Sequence, residues 1–594
     1  MENGWTTAAS EAKAAEKSAI RRLLNAYLRE SGIPDPRIRS GVEESTPEGG
    51  VVGNIPGEPF SLDLNGKKLY GYLIHYSPSG HHRYADLLRA DRGKGWEQVT
   101  TAVELARFLL EDGLPNEGPE RKRLERFLAQ VRNSVEKTAL YLRKEAERGH
   151  PRRVWRPDLG GKEAEQALTA GHPFHPTPKS SEGFQPEDLK QYAPEMGASF
   201  RLHYLAVHPS LLEEERLPGW EGEPVPDEVR ESASGRLNAG QRDFGLLPLH
   251  PWQARHLLQQ PWFSERVREG SLVDLGPLGE PVYPTSSVRT VCHPGRLKAW
   301  KLPLRVRITH FFRTNPPEHI RRTLDAGVYV SRCRRGWSDP GFGVLLDWGC
   351  RRIGARAEDT AVLFREHPFP EPGPTPWVVA SLLEERQGEE PWLVQIVRRA
   401  GGGKKGPLSP AWVRKWLKAY LRIAFKPVLH TWIRDGISLE AHVQNCLVEV
   451  EENWPVRFWV RDMEGVSVSR DRLPKGAPIP PESPVLYGDE EAWKRLKYYA
   501  VTNHLGHLIH VLAFHGGIKE QRLWGDFRDS LIEWRKEWTE DAARYVDDLL
   551  HHPHLPAKAN LVSRLHERGE RPDYVMIPNP IREVNGRDVE TDRH

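Results

Sequence analysis

Residues able to do chemistry concentrate in a few short segments of this 594-residue chain. Pro284-Thr-Ser-Ser-Val-Arg-Thr290 packs Thr285, Ser286, Ser287 and Arg289 into five positions. Hydroxyls donate hydrogen bonds and a guanidinium forks onto phosphate or carboxylate, so the group suits a polyanion rather than an ordinary strand end. Lys301-Leu-Pro-Leu-Arg-Val-Arg-Ile-Thr-His-Phe-Phe-Arg-Thr-Asn315 follows. If extended, it sets Lys301, Pro303, Arg305, Arg307 and Thr309 on one face, and Arg313 returns to it. Cations beside apolar residues need anionic partners.

A third segment, Glu440-Ala-His-Val-Gln-Asn445, is followed after 16 residues by Asp462 in Arg461-Asp-Met-Glu-Gly465. An Asn and a later Asp, each beside strand-like sequence, resemble the magnesium–ATP site of kinase-like folds. Oxygen ligands at Asn445 and Asp462 suit magnesium, which keeps waters and bridges phosphates. A kinase-type His-x-Asp base is absent, and Glu440 and His442 occupy that region. The fourth segment is Gly171-His-Pro-Phe-His-Pro-Thr-Pro-Lys179. Its prolines pre-order a turn that aims His172, His175 and Lys179. With no third ligand nearby, it reads as an anion-facing loop rather than a zinc site. Leu249-His250-Pro251-Trp252-Gln253 reads as a packed corner. The Gly401–Gly406 stretch lacks a P-loop pattern and reads as a linker.

The elements that must hold these segments follow from periodicity. Ile20, Leu23, Leu24, Tyr27 and Leu28 form one stripe of an N-terminal helix that Pro34 and Pro36 end. Asn65-Gly66 between apolar runs predicts a hairpin over 59–76. Leu124, Phe127, Leu128, Val131 and Val135 predict a helix over about 119–147. Short strands are expected at 199–208, 244–250, 281–291 and 299–313, a helix at about 410–434, and further helices over 490–550.

Composition narrows the class. Lys+Arg at 85 against Asp+Glu at 82 gives +3, so nucleic acid is not a partner and any basic site is local. Hydrophobic residues at 38% with 20 Trp describe a globular chain with a large core. Cys292, Cys333, Cys350 and Cys446 form no CxxC pair, which predicts reduced thiols in a cytoplasmic protein. No signal-peptide pattern and no apolar run of about 20 residues is present, so no membrane association is expected.

Taken in order, GHPFHPTPKSSEGF (171–184), LHPWQ (249–253), PTSSVRT (284–290), KLPLRVRITHFFRTN (301–315), EAHVQN (440–445) and RDMEG (461–465) closely resemble the IucA/IucC family, the NRPS-independent siderophore synthetases. The one departure is at 178–182, where no basic residue follows Lys179. The resemblance implies an α+β, cupped-hand fold: a mostly helical thumb (1–160), fingers (161–385) and a palm (386–594) with a kinase-like magnesium–ATP region, often as a homodimer. It implies that ATP and Mg2+ activate a carboxylate of citrate or a citrate derivative. An amine, polyamine or alcohol then attacks the acyl-adenylate. His172, Lys179, Ser286, Ser287, Arg289, Lys301 and Gln444 would contact the nucleotide. Asn445 and Asp462, with Glu440, would hold the metal. Thr309, Arg313 and His442 would act at the junction of acid and α-phosphate, and Lys558 would reach the acid. The rival readings are a kinase-like small-molecule phosphotransferase, which lacks its base here, and a non-enzymatic protein binding citrate or a chelate.

Overall fold

The computed structural model describes residues 2–33, 35–37, 55–112, 114–115, 117–147, 154–157, 159–295, 297–309, 311–369, 376–386, 388–403, 406–568 and 573–582. Pro34, His310, Lys404 and Lys405 therefore lie outside the described residues. Helix Glu2–Glu30 packs on Ala102–Leu110 and Pro119–Glu147, burying Leu23, Leu24 and Leu28 of the expected stripe. Ile20 and Tyr27 flank that core half-buried. The expected hairpin forms as Glu58–Leu64 and Lys67–His75, with Leu64 opposite Lys67. Asn65 and Gly66 both take positive φ, as a type I′ turn requires. Arg83–Asp91 and Trp96–Gln98 extend the hairpin to a four-stranded antiparallel sheet.

An eight-stranded antiparallel sheet follows, in the order Leu212–Arg216, Asp347–Ile353, Val362–Arg365, Ala299–Lys301, Thr290–Cys292, Leu272–Pro284, Phe200–Val207 and Gly245–Leu249. The run expected as one strand over 281–291 is thus two strands joined by a tight turn at 285–289. Thr285 N donates to Thr290 O at 2.8 Å, and Val288 adopts φ 70°. The 299–313 run also differs from expectation. It breaks into Ala299–Lys301 in the large sheet, then Leu304–Ile308, which pairs with Phe311–Arg313 on one side and Ser181–Glu182 on the other in a separate three-stranded sheet. Pro303 at the break has no N–H for a ladder. The single cationic face is therefore not continuous. Lys301 turns inward, while Arg305 pairs with Asp359 and Arg307 lies over the Phe312 ring.

A four-stranded sheet carries the second half of the site. Phe342–Leu345 lies parallel to Trp454–Arg461, which is antiparallel to Cys446–Glu451, and Trp377–Val378 flanks it. Helix Pro410–Asp435 packs on it and ends at Gly436, whose φ of 65° closes a left-handed cap. The C-terminal helices include a π-helical segment, Lys497–Leu505, between Asp489–Leu496 and Gly506–Gly516. All four cysteines are free thiols. Among the described residues, no helix is long and apolar enough to cross a membrane.

The His-Pro dipeptides share one local device. In 172–174, 175–177 and 250–252, the ring Nδ1 accepts the backbone N–H two residues on, at 3.1 Å. Proline between them supplies no competing N–H. His250 caps helix Pro251–Leu258 inside a cluster of Tyr192 and Phe200 rings, so LHPWQ is a packed corner.

Candidate active site

Asn445 and Asp462 sit at the open end of one hairpin. Cys446 pairs with Val460, and Arg461 N donates to Asn445 O at 3.0 Å, so two residues 17 positions apart become neighbours. Asn445 Nδ2 donates to Glu440 O at 3.3 Å, which fixes the amide and leaves Oδ1 as the free acceptor end. Asp462 holds φ 77°, a conformation that is costly without glycine and marks a constrained carboxylate.

Facing that hairpin is the broken cationic strand. Lys301 Nζ lies 2.6 Å from Asp462 Oδ1 and 2.8 Å from Glu464 Oε2, with 2% of its side chain exposed. Arg365 reaches Asp462 at 3.3 Å and grips Asp347 with two bonds of 2.8 and 3.1 Å. Arg289 reaches Glu464 at 3.3 Å, and His319 Nδ1 faces the other Glu464 oxygen at 3.1 Å. Burial alone would raise the Asp462 and Glu464 pKa values. The Lys301 ammonium outweighs it, helped by Arg365 at Asp462 and by His319 and Arg289 at Glu464, and holds both well below the usual carboxylate range. Both are therefore anions at neutral pH, about a quarter exposed. With the Asn445 carbonyl they form an all-oxygen donor set of the kind magnesium takes.

Arg313 closes the cluster. Its Nη2 donates to Ile308 O and Thr309 Oγ1, both at 3.2 Å, and its Nε is buried with no hydrogen-bond partner among the described residues. Burial, then the neighbouring Arg289, lower its pKa to about 10. An enclosed guanidinium with an idle donor is a site for an anion. Thr309, which positions it, holds φ 60°, an outlier for a β-branched residue. Arg289 also anchors this strand's end, donating to Thr314 O at 2.8 Å and Asn315 Oδ1 at 2.6 Å.

Ser286 and Gln444 meet on the other side. Ser286 Oγ donates to Glu165 Oε2 at 3.0 Å and accepts from Gln444 Nε2 at 3.3 Å, while Arg461 grips Glu165 with both guanidinium nitrogens. Ser287 Oγ lies 3.1 Å from Thr285 Oγ1 and accepts from Thr290 N, so it braces the turn. Beside this wall is a small recess, lined in part by Tyr283, Cys292, His367, Phe369 and Leu447.

A second group gathers around the π-helical segment. His442 Nδ1 accepts from Gln444 N and Asn445 N at 3.2 and 3.3 Å. Burial lowers its pKa, so the ring is neutral and carries its proton on Nε2. Lys558 Nζ donates to Tyr499 Oη at 3.0 Å and lies over the Tyr498 and Tyr499 rings. Burial, with Arg495 adding and Glu440 opposing, lowers its pKa to about 8. Glu440 lies against Gly465, where a Cβ would overlap its carboxylate, and it acts electrostatically on Lys558 and Arg495. His172 faces Asn503 through Nε2 at 2.7 Å, and burial followed by the nearby His442 lowers its pKa to about 3. Lys179 stands apart: its Nζ is committed to Glu195 at 2.5 Å and Leu168 O at 2.6 Å.

The structure thus joins Ser286, Arg289, Lys301, Arg313, Gln444, Asn445 and Asp462 in one cleft. His172, His442, Glu440 and Lys558 form an adjoining group. Sequence reasoning missed Glu464, Glu165, Arg365, His319 and Tyr499. Glu464 lies inside the RDMEG motif, but the others come from distant segments with no local pattern around them.

The model of the IucA/IucC family matches residues 161–384, and one described as "Ferric iron reductase FhuF-like transporter" matches 414–573. The chain is 34% identical over 589 residues to the L-2,3-diaminopropanoate–citrate ligase of Staphylococcus aureus, covering 95% of this chain and 96% of that protein. It is 27% identical to the spermidine–citrate ligase of Bacillus anthracis, covering 96% and 98%. In fold it is similar to the ATP-bound aerobactin synthetase IucA from a hypervirulent pathotype of Klebsiella pneumoniae, with a TM-score of 0.81 at 23% identity, covering 95% and 99%. On identity sustained along nearly its whole length, the chain belongs to the IucA/IucC family.

Proposed function

We propose that this protein is an ATP-dependent siderophore synthetase. It adenylates a carboxylate of citrate or a citrate derivative and condenses it with an amine or alcohol. One observation carries the reading: three enclosed cations, Lys301, Arg289 and Arg313, converge with two ionised carboxylates, Asp462 and Glu464, at one cleft. The Arg313 donor, which has no partner among the described residues, adds a place for substrate charge. Relatives named as ligases of citrate with L-2,3-diaminopropanoate and with spermidine support the same chemistry.

In this reading the cleft is a kinase-like magnesium–ATP palm, residues 386–594, closed by fingers at 161–385 and a thumb at 1–160, and the protein works as a homodimer in the cytoplasm. Asn445, Asp462 and Glu464 hold magnesium, with Glu440 behind them. When bound, the metal neutralises phosphate charge. Lys301, Arg289, Ser286, Ser287 and Gln444 orient the triphosphate. His172 and Lys179 order the loop beside it.

The acid's carboxylate oxygen attacks the α-phosphorus, the bond to the β-phosphate breaks, and pyrophosphate leaves. Arg313 forks onto the oxygens where charge develops, with Thr309 holding its angle. His442 donates its Nε2–H to the acid or α-phosphate, and Lys558 pairs with a second carboxylate. The amine nitrogen then attacks the acyl carbon and AMP leaves with the phosphate oxygen. The amine proton passes to Glu440, because His442 already carries its proton on the facing nitrogen.

The experiment is a matrix of acids (citrate, a citryl monoamide, 2-oxoglutarate, a dicarboxylic half-amide) against amines and alcohols. Each well is scored by pyrophosphate release with ATP and magnesium. Release that depends on a citrate-type acid supports the reading, and release with none of the acids would contradict it.

A further inference from the structure

Away from the cleft, three potential ligands from three elements meet. His75 ends the strand Lys67–His75, His510 lies in helix Gly506–Gly516, and Glu520 opens helix Glu520–Arg535. His75 Nε2 is 2.9 Å from Glu520 Oε1, and His510 Nδ1 is 3.0 Å from the same oxygen. The three ligand atoms all lie within 4.8 Å of one another. Glu520 and His510 are almost fully buried, whereas the His75 side chain keeps 19% exposure, which leaves an entry route.

Among the described residues, only imidazoles stand as possible cations beside Glu520. Burial raises the Glu520 pKa, and among the described residues no lysine or arginine pairs with it. Its other oxygen accepts from the neutral Ser77 Oγ at 2.9 Å. The Arg83 guanidinium pairs with Glu385 and touches His510 Nε2 at 3.4 Å, a contact it must give up for the ring to bind through Nδ1. A second observation points the same way. His81 stacks on His510 at 5.0 Å with its Nε2 buried and without a partner among the described residues, and His507 stacks on His81 with its Nδ1 in the same state. Unpaired imidazole nitrogens this deep are costly unless a ligand or ordered water meets them.

We propose that His75, His510 and Glu520 bind a divalent transition metal of the zinc type, separate from the magnesium site. Two imidazoles and one carboxylate are a common zinc donor set, with an open fourth position. Bonds of about 2.0–2.1 Å place tetrahedral neighbours roughly 3.3 Å apart, so the observed 2.9 and 3.0 Å need only a small opening. The ion replaces the two N–H protons now shared with Glu520. It ties the N-terminal sheet to the C-terminal helices, and through His81, edge-on to Phe174 at 4.6 Å, it abuts the loop carrying His172. The proposal does not depend on the synthetase reading.

The test is equilibrium binding of Zn2+ and of Co2+ to the full chain, with magnesium in excess to fill the oxygen site. We expect one ion per chain, visible Co2+ absorption, and a Zn2+-dependent rise in melting midpoint that a chelator reverses. His75→Ala, at the exposed edge, lowers affinity by at least about tenfold, as does the isosteric Glu520→Gln. Less than about 0.1 ion per chain in the wild type, or wild-type affinity in both variants, overturns the site.

Discussion

Lys301 and Asp462 lie 161 positions apart in sequence and 2.6 Å apart in space. The pair joins the eight-stranded sheet to the end of the Cys446–Arg461 hairpin, and both halves of the cleft are built around it. A lysine this buried must keep a carboxylate partner. Lys301 has two, Asp462 and Glu464, so removing one tests chemistry rather than folding.

Asp462→Ala should lower acid-dependent pyrophosphate release by about 10²-fold or more, the scale of losing a group that acts on developing charge. The melting midpoint should hold within a few degrees, because Glu464 still neutralises Lys301. A folded variant with near-normal turnover in magnesium would remove Asp462 from the site.

Arg313→Ala should cost on the order of 10²–10³ in rate. Arg313→Lys should also be poor, since a point charge cannot replace a planar fork. The comparison is made at saturating ATP and acid. Full activity in the lysine variant would show that Arg313 contributes charge alone.

Thr309 holds its φ of 60° at a cost of about 1–3 kcal/mol. Thr309→Gly relieves that strain and adds back about 0.5–1 kcal/mol of chain entropy. The melting midpoint should therefore hold or rise while turnover falls, because Arg313 loses the Oγ1 that receives its Nη2. A variant both less stable and fully active would mean that the strain has no part in positioning.

Lys558 gives the pH dependence its sign. Burial lowers its pKa to about 8, so it is cationic below that pH and neutral above it. If it pairs with the acid, kcat/KM for the acid should fall as pH rises through 8, approaching about tenfold per unit. Exchange of pyrophosphate into ATP measures this without an amine, whose own titration would mask it. Lys558→Arg should move the fall to higher pH. A wild-type profile flat from about pH 7 to 9.5 would exclude Lys558 from acid binding.

Much of the fold follows from local signals. Asn65-Gly66 specifies its turn, the 124–135 stripe specifies its helix, and the strand-like runs at 199–208 and 244–250 form two paired strands. The 299–313 run misleads because its alternation continues across Pro303, where backbone pairing cannot, so the chain changes sheets. Local spacing places Asn445 and Asp462 because one hairpin joins them. It cannot place Glu165 beneath Ser286 and Arg461, or Tyr499 beside Lys558, because those contacts come from tertiary packing and a π-helical register. Lys179 shows the limit of composition: a lysine in a polar loop is set by the nearest buried carboxylate, here Glu195.

The most direct test of the central claim is which phosphorus is attacked. The wild-type chain is incubated with ATP, magnesium, each candidate acid and hydroxylamine, and the nucleotides are resolved by chromatography. Attack at the α-phosphorus predicts AMP and pyrophosphate in step with a hydroxamate, dependent on citrate or a citryl amide. ADP without AMP across the whole acid panel would contradict the synthetase account and assign the cleft to γ-phosphoryl transfer.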